Sequence, residues 1–178
     1  LNVCMLQRAF ETNILISEQG TDEFSNYSQY KYCEYVKFDY VEFHRTKMLN
    51  EMAKMSKTPI IVNWDADMYI SPLQLWQSVM RIRSGAADMV FPYDGRFARV
   101  NRIPYYKFLA ETFDVGILAG KQFKGMDFVK DAMSVGGAIL FNKESYFKGG
   151  GENENFVSYG PEDVERDVRF RRMNYNVE

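Results

Sequence analysis

Histidine occurs once and cysteine only twice in this sequence of 178 residues. The two cysteines, Cys4 and Cys33, lack the close spacing of metal-binding pairs, which excludes a thiolate metal centre. They read as free thiols in a reducing compartment, with a single disulfide as the alternative. No cluster of Lys and Arg stands out. The 22 basic and 24 acidic residues leave a net charge of -2, which argues against a nucleic-acid or anionic-membrane surface. Apolar runs are only a few residues long, so no membrane span is expected. No secretory signal peptide, internal repeat or low-complexity tract is visible. These absences point to a cytoplasmic protein, with the inner face of a membrane also allowed. Hydrophobic residues make up 46% and aromatics 16%, a globular composition that suits one domain over residues 1–178.

Strand-like and helix-like patterns alternate along the chain. Leu1 to Phe10 reads as the end of a helix. Thr12 to Ser17 is β-branched and apolar, a buried strand, and "EQGTDEFSN" after it is a turn-rich loop. Cys33 to Phe38 alternates as a strand does. Arg45 to Ser56 carries Met48, Leu49, Met52 and Met55 at helical spacing. "PIIVN" is a strand. Pro72 opens a helix whose apolar face is predicted as Leu73, Trp76, Val79 and Met80, since Pro fits a first turn. "DMVFPY" is a strand, Ile103 to Phe113 a helix and "VGGAILFN" a strand that opens with two glycines. Lys143 to Lys148 is a short helix, "GGGENENFVSYG" a long loop, and Glu162 to Met173 the last helix. Asp94-Gly95 reads as a hairpin turn, and "KGGG" as a turn without the ending of a phosphate-binding loop. This alternation predicts an α/β fold with a largely parallel sheet covered on both faces. The sequence opens within or just before a helix and stops where a further strand would be starting.

Two constellations carry chemistry. In "IIVNWDADMYI", Asp65 and Asp67 follow a strand directly, where open α/β sheets bind ligands. Two carboxylates at a strand exit offer oxygen ligands to a hard divalent cation, or form an ordinary turn. In "SYGPEDVERDVRFRR", Pro161, Glu162 and Asp163 make a regular helix start, and an acidic first turn suits the helix dipole. The other reading makes Asp163 or Glu162 a general base facing the same cleft.

Taken together, the stretches "ILISEQGT", "FHRTKMLN", "VNWDADM" and "VGGAILFNKESYFKGGGENENFVSYGPEDVERDVRFRR" resemble the GT-A-fold glycosyltransferases. The likeness is to inverting family 2 enzymes and the C-terminal module of β-1,4-galactosyltransferases, and it runs over most of the chain. It implies a nucleotide-diphospho-sugar transferase fold with a mixed, mostly parallel central sheet. The domain would lack its first strand and its C-terminal end. It also implies that Asp65 and Asp67 are the D-x-D motif, with Asp67 the direct ligand of Mn²⁺ or Mg²⁺ on a UDP-sugar. Glu18, Gln19 and Thr21 match the loop at the base and ribose, and Arg45 and Asn50 the segment beside the nucleotide. Gly136 and Gly137 would let the backbone approach the sugar. Tyr159 would stack on the acceptor, Glu162 would hydrogen-bond it, and Asp163 would deprotonate it.

Three departures stand out. A further metal ligand, often His, follows the last helix in galactosyltransferase-like members, and here the only histidine is His44. Pro161 and Val164 replace a Gly and an Asp of that family's pattern, so the resemblance implies a galactosyltransferase-like hexosyltransferase without fixing galactose as the sugar. The implied activity is metal-dependent, inverting transfer of a hexose or N-acetylhexosamine to a carbohydrate acceptor, of the hexosyltransferase kind used in polysaccharide biosynthesis. The alternative is a non-catalytic nucleotide-sugar or carbohydrate-binding domain of the same fold. Haloacid-dehalogenase-like phosphatases also place D-x-D after an apolar strand. They want Thr or Val where Met68 and Tyr69 stand.

Overall fold

The computed structural model describes residues 2–20, 31–100, 111–112, 126–129, 133–158 and 160–178. Along the chain run α1 (Asn2–Ala9), β1 (Ile14–Gln19), β2 (Cys33–Phe38), α2 (Arg45–Met55), β3 (Ile60–Trp64) and α3 (Pro72–Arg83). Then follow β4 (Met89–Val90), β5 (Phe97–Val100), β6 (Met126–Val129), β7 (Ala138–Asn142), α4 (Lys143–Lys148) and α5 (Glu162–Arg172). The helix expected over Ile103 to Phe113 lies outside the described residues, apart from 111–112.

The fold is mixed α/β, with short sheets. A three-stranded sheet in the order β3-β7-β4 forms its centre. On β7, Ile139 and Phe141 point to one face, where they pack with Ala53, Tyr146 and Phe170 from α2, α4 and α5. Leu140 points to the other face, against Leu6 of α1 and Leu75 and Ile82 of α3. A strand covered on both faces has no room for polar side chains, which is why "AILF" is continuous. Separate pairs are formed by β1 with β2 and by β5 with β6.

The expectation of a largely parallel sheet needs correction. Among the described strands only β1 and β2 pair in parallel, while β7 runs antiparallel to both β3 and β4. Alternating strands and helices suggest crossovers that restore direction. Here β7 instead enters from the exit end of β3, so Trp64 pairs with Ala138 and Ile60 with Asn142. Gly137 makes that entry possible. Its φ of +80° is a conformation that favours glycine, and a Cβ there would lie 2.8 Å from Met68 Cε. Where a further strand was expected to start, there is an isolated parallel bridge from Val177 to Met89.

Local signals hold elsewhere. β2 and α4 have their predicted bounds. Ser71 caps α3 through a reciprocal box with Gln74, ahead of Pro72. The buried face of α3 is a different one from that predicted. Leu75, Ser78 and Ile82 are buried, while Leu73, Trp76 and Met80 are 65%, 47% and 43% exposed. The first strand is shifted two residues along from its predicted place, so Glu18 and Gln19 end β1 and are not loop residues. The strand at "DMVFPY" shortens to two residues. Asp94 accepts from the Arg96 backbone N–H in a turn, but β5 after it pairs with β6, so no hairpin with β4 forms. Cys4 and Cys33 are both free.

Candidate active site

The turn after β3 is built by its neighbours. The Asp65 N–H donates to the Gly137 carbonyl at 2.7 Å, and the Met68 N–H closes back on the Asp65 carbonyl at 3.0 Å. Trp64 Nε1 and Asn2 Nδ2 both donate to the Met68 carbonyl, at 2.9 and 2.7 Å. Asp65 is half-buried and Asp67 exposed. Both line a cavity of about 460 Å³ together with Gly136, Gly137 and Asp163. Apolar side chains of Met68, Phe97, Met133 and Val164 complete its wall. Asp163 comes from the first turn of α5, where the acids Glu162, Asp163 and Glu165 meet the positive end of the helix dipole. A Cβ on Gly136 would fall 2.2 Å from Asp163 Oδ2, so glycine there lets helix and strand meet.

Arg45, the first residue of α2, stands behind the cavity. Its Nη2 lies 2.6 Å from Asp65 Oδ1, and its Nη1 lies 3.4 Å from Glu162 Oε1 and 3.5 Å from Asp163 Oδ1. Burial acts to lower the guanidinium pKa, but Asp65, Asp163 and Glu152 outweigh it and push the pKa up. Glu162 is buried, and its Oε2 has no partner among the described residues. Deeper still, Arg166 is fully buried. Its Nη1 donates to both oxygens of buried Glu152, at 2.9 and 2.8 Å, and its Nη2 to Asp163 Oδ1 at 2.7 Å. Burial opposes the Arg166 charge too, and Glu152 and Asp163 more than offset it.

The donor set suits a hard divalent cation in one respect. Asp67 makes no hydrogen bond or ion pair among the described residues, and Asp65 keeps one oxygen clear of Arg45. Among the described residues, no group of three or more His, Cys, Asp or Glu is arranged to hold an ion alone. A cation here would complete its shell from water and from a ligand's oxygens, as Mg²⁺ and Mn²⁺ do beside phosphates.

Of the residues singled out in the sequence, Asp65, Asp67, Gly136, Gly137 and Asp163 come together in the cavity wall. Arg45 and Glu162 lie against that group without lining the cavity. Asn50 is elsewhere. Its amide accepts from Tyr146 Oη and the Glu152 N–H and donates to the Glu152 carbonyl and Glu154 Oε1, which fills all four positions. Gln19 is spent on the loop before α2, donating to the Tyr40 and Glu42 carbonyls and accepting from the His44 N–H. Glu18 accepts from Tyr35 Oη at 2.7 Å. Thr21 and Tyr159 lie outside the described residues. Sequence reasoning missed Arg166, Glu152 and Tyr93, whose hydroxyl donates to the Gly136 carbonyl. Nothing local marks a charged helix residue as interior. For Glu152 the one hint is the glycine run before it, where Gly150 and Gly151 take φ of 93° and 63°. No protein-family model matches this chain, and no curated protein matches it.

Proposed function

We propose that this chain is the catalytic domain of an inverting, metal-dependent glycosyltransferase of the GT-A kind. It would move a hexose or N-acetylhexosamine from a UDP-sugar to a carbohydrate acceptor. The observation that carries this reading is the convergence of Asp65 and Asp67, from one turn, with Asp163, from a helix start far along the chain. They meet around a single cavity floored by two glycines. A second observation supports it. The described lining residues include three carboxylates and no Lys, Arg or His, so a diphosphate would be repelled unless a divalent cation arrived with it.

Asp67 and Asp65 would hold that cation, which when bound would supply positive charge against the departing diphosphate. Gly136 and Gly137 line the cavity, but the space beside their Cα atoms is taken by Asp163 and Met68, so the sugar would lie against those side chains. Asp163 Oδ1 is tied to Arg166, so Oδ2 is the oxygen available to take the acceptor's proton. The acceptor oxygen then bonds to the anomeric carbon as the sugar–phosphate bond breaks, and the electron pair leaves with the diphosphate. One displacement inverts that carbon. Most of the gain comes from positioning.

The test is UDP release from a panel of UDP-sugars with Mn²⁺, with and without oligosaccharide acceptors. Asp163→Asn should leave donor binding nearly intact and cut transfer by about 10² or more. Donor binding with no turnover in the unaltered protein would favour the non-catalytic reading of the same fold. The engagement of Asp65 and Asp163 by arginines speaks for that alternative.

A further inference from the structure

We propose that Arg166 is a positioning residue, set by Glu152, that holds Asp163 and the segment entering β7 in one fixed relation. The inference rests on the transferase reading of Asp163. Arg166 is 0% exposed and Glu152 2%, so both charges have left water completely. Burying an ion pair costs so much desolvation that an apolar pair of similar volume is often as stable or more so. Here the arrangement is costlier still, since Arg166 Nε has no partner among the described residues. Stability alone is a poor reason for such a pair.

The geometry supplies another reason. One arm of the guanidinium, Nη1, is clamped by both Glu152 oxygens. Nη2 faces the other way and donates to Asp163 Oδ1 at 2.7 Å and to the Val135 carbonyl at 3.2 Å. Val135 and Asp163 both line the cavity. A rigid planar fork therefore spans from the interior to two walls of the site, which a lysine could not do. Glu152 is anchored in turn from three elements. Asn63 of β3 donates to its Oε1 at 2.7 Å. Asn50 of α2 bonds both its backbone N–H and its carbonyl, and Tyr146 of α4 holds Asn50. The segment entering β7, which holds Val135, is pinned again at Gly137, whose carbonyl accepts from the Asp65 N–H. Arg166 thus ties the oxygen of Asp163 that does not take the proton, and leaves Oδ2 facing Gly136.

The experiment is a double-mutant cycle on transfer between Arg166→Lys and Asp163→Asn, with melting curves on each variant. Lysine keeps a cation for Glu152 and loses the second arm. Alone, Arg166→Lys should lower kcat by about 10- to 100-fold, with the donor KM within about twofold of the unaltered protein. In the Asp163→Asn background it should cost less than about twofold more, because its effect runs through Asp163. A residue that only supports the fold would cost the same factor in both backgrounds, and that additive result overturns the proposal. If Arg166→Lys does not fold, Glu152→Gln goes through the same cycle with the same expectation. An unaltered protein without transfer, or an Asp163→Asn variant at full rate, overturns the transferase reading and the role of Arg166 with it. An active protein with an additive cycle overturns only the latter.

Discussion

Arg45 Nη2 lies 2.6 Å from Asp65 Oδ1, and the same guanidinium reaches Glu162 and Asp163 through Nη1. One cation thus faces three carboxylates from two elements, the turn after β3 and the start of α5. Without it the acids repel, and Glu162 does so out of water. Arg45→Met should cost about 1–3 kcal/mol, seen as a lower urea midpoint at unchanged slope, and Arg45→Lys should recover part of it. An unmoved midpoint in Arg45→Met would mean that these contacts carry no net stability.

Asp67 has no protein partner among the described residues and sits exposed on the cavity wall. UDP with Mn²⁺ should raise the melting temperature of the protein, since a ligand of the native state shifts unfolding by mass action. Asp67→Ala should abolish that rise and leave the melting temperature without ligand nearly unchanged. A full shift in the variant would remove Asp67 from the metal site.

Gly136 has no space for a methyl group, which would lie 2.2 Å from Asp163 Oδ2. Gly136→Ala must push the carboxylate or the start of α5 aside, at about 1–3 kcal/mol. Transfer should fall by about tenfold or more as Asp163 moves. Gly20→Ala is the control, because among the described residues nothing lies within 4 Å of its added carbon. Equal melting temperatures and rates for the two variants would contradict the close approach.

Both oxygens of Glu152 accept from Arg166 Nη1. Glu152→Ala leaves a fully buried guanidinium with Asp163 as its one carboxylate partner among the described residues, so it should destabilise by about 3 kcal/mol, the low end for breaking a buried pair, in denaturant titration. A loss under about 1 kcal/mol would imply that water or another acid reaches Arg166 readily.

Tyr146 offers a test by pH. Burial, reinforced by the Glu152 charge, pushes its hydroxyl pKa up from the ordinary 10.0. Below about pH 10 both folded and unfolded chains hold that proton, so stability is unaffected. Above it the unfolded chain releases the proton first, and stability should fall as pH rises. Tyr146→Phe should show a shallower fall over the same window, while Tyr93 and Tyr40, also raised by burial, keep the rest. Parallel pH profiles for the variant and the unaltered protein would count against the buried hydroxyl.

Much of the local structure was legible without coordinates. The period of Arg45 to Met55 reads as a helix, the alternation of Cys33 to Phe38 as a strand, and Pro72 as a helix start. These depend on near-neighbour sterics and hydrogen bonding, which a short window contains. The placement of Asp65 and Asp67 at a strand exit follows in the same way, from a run of apolar residues ending at two acids.

The pairing and the interior charges depended on tertiary structure. Nothing within "VGGAILFN" says that β7 runs against β3 and β4, because strand direction is set by the partner that its backbone finds. That direction brings Gly136 and Gly137 to Asp65. Leu73, Trp76 and Met80 share the helical period of Leu75, Val79 and Ile82 closely enough that only packing against α1 and β4 selects the buried set. Arg166 and Glu152 read as solvated charges on a helix and a loop. Their burial rests on each meeting the other, 14 residues along the chain, inside a pocket of other elements, since a lone charge could not leave water. The amino-acid order therefore determined the elements and the acids at their ends. The fold decided which acids meet and what holds them, because desolvation and pairing are properties of surroundings that the chain assembles only when folded.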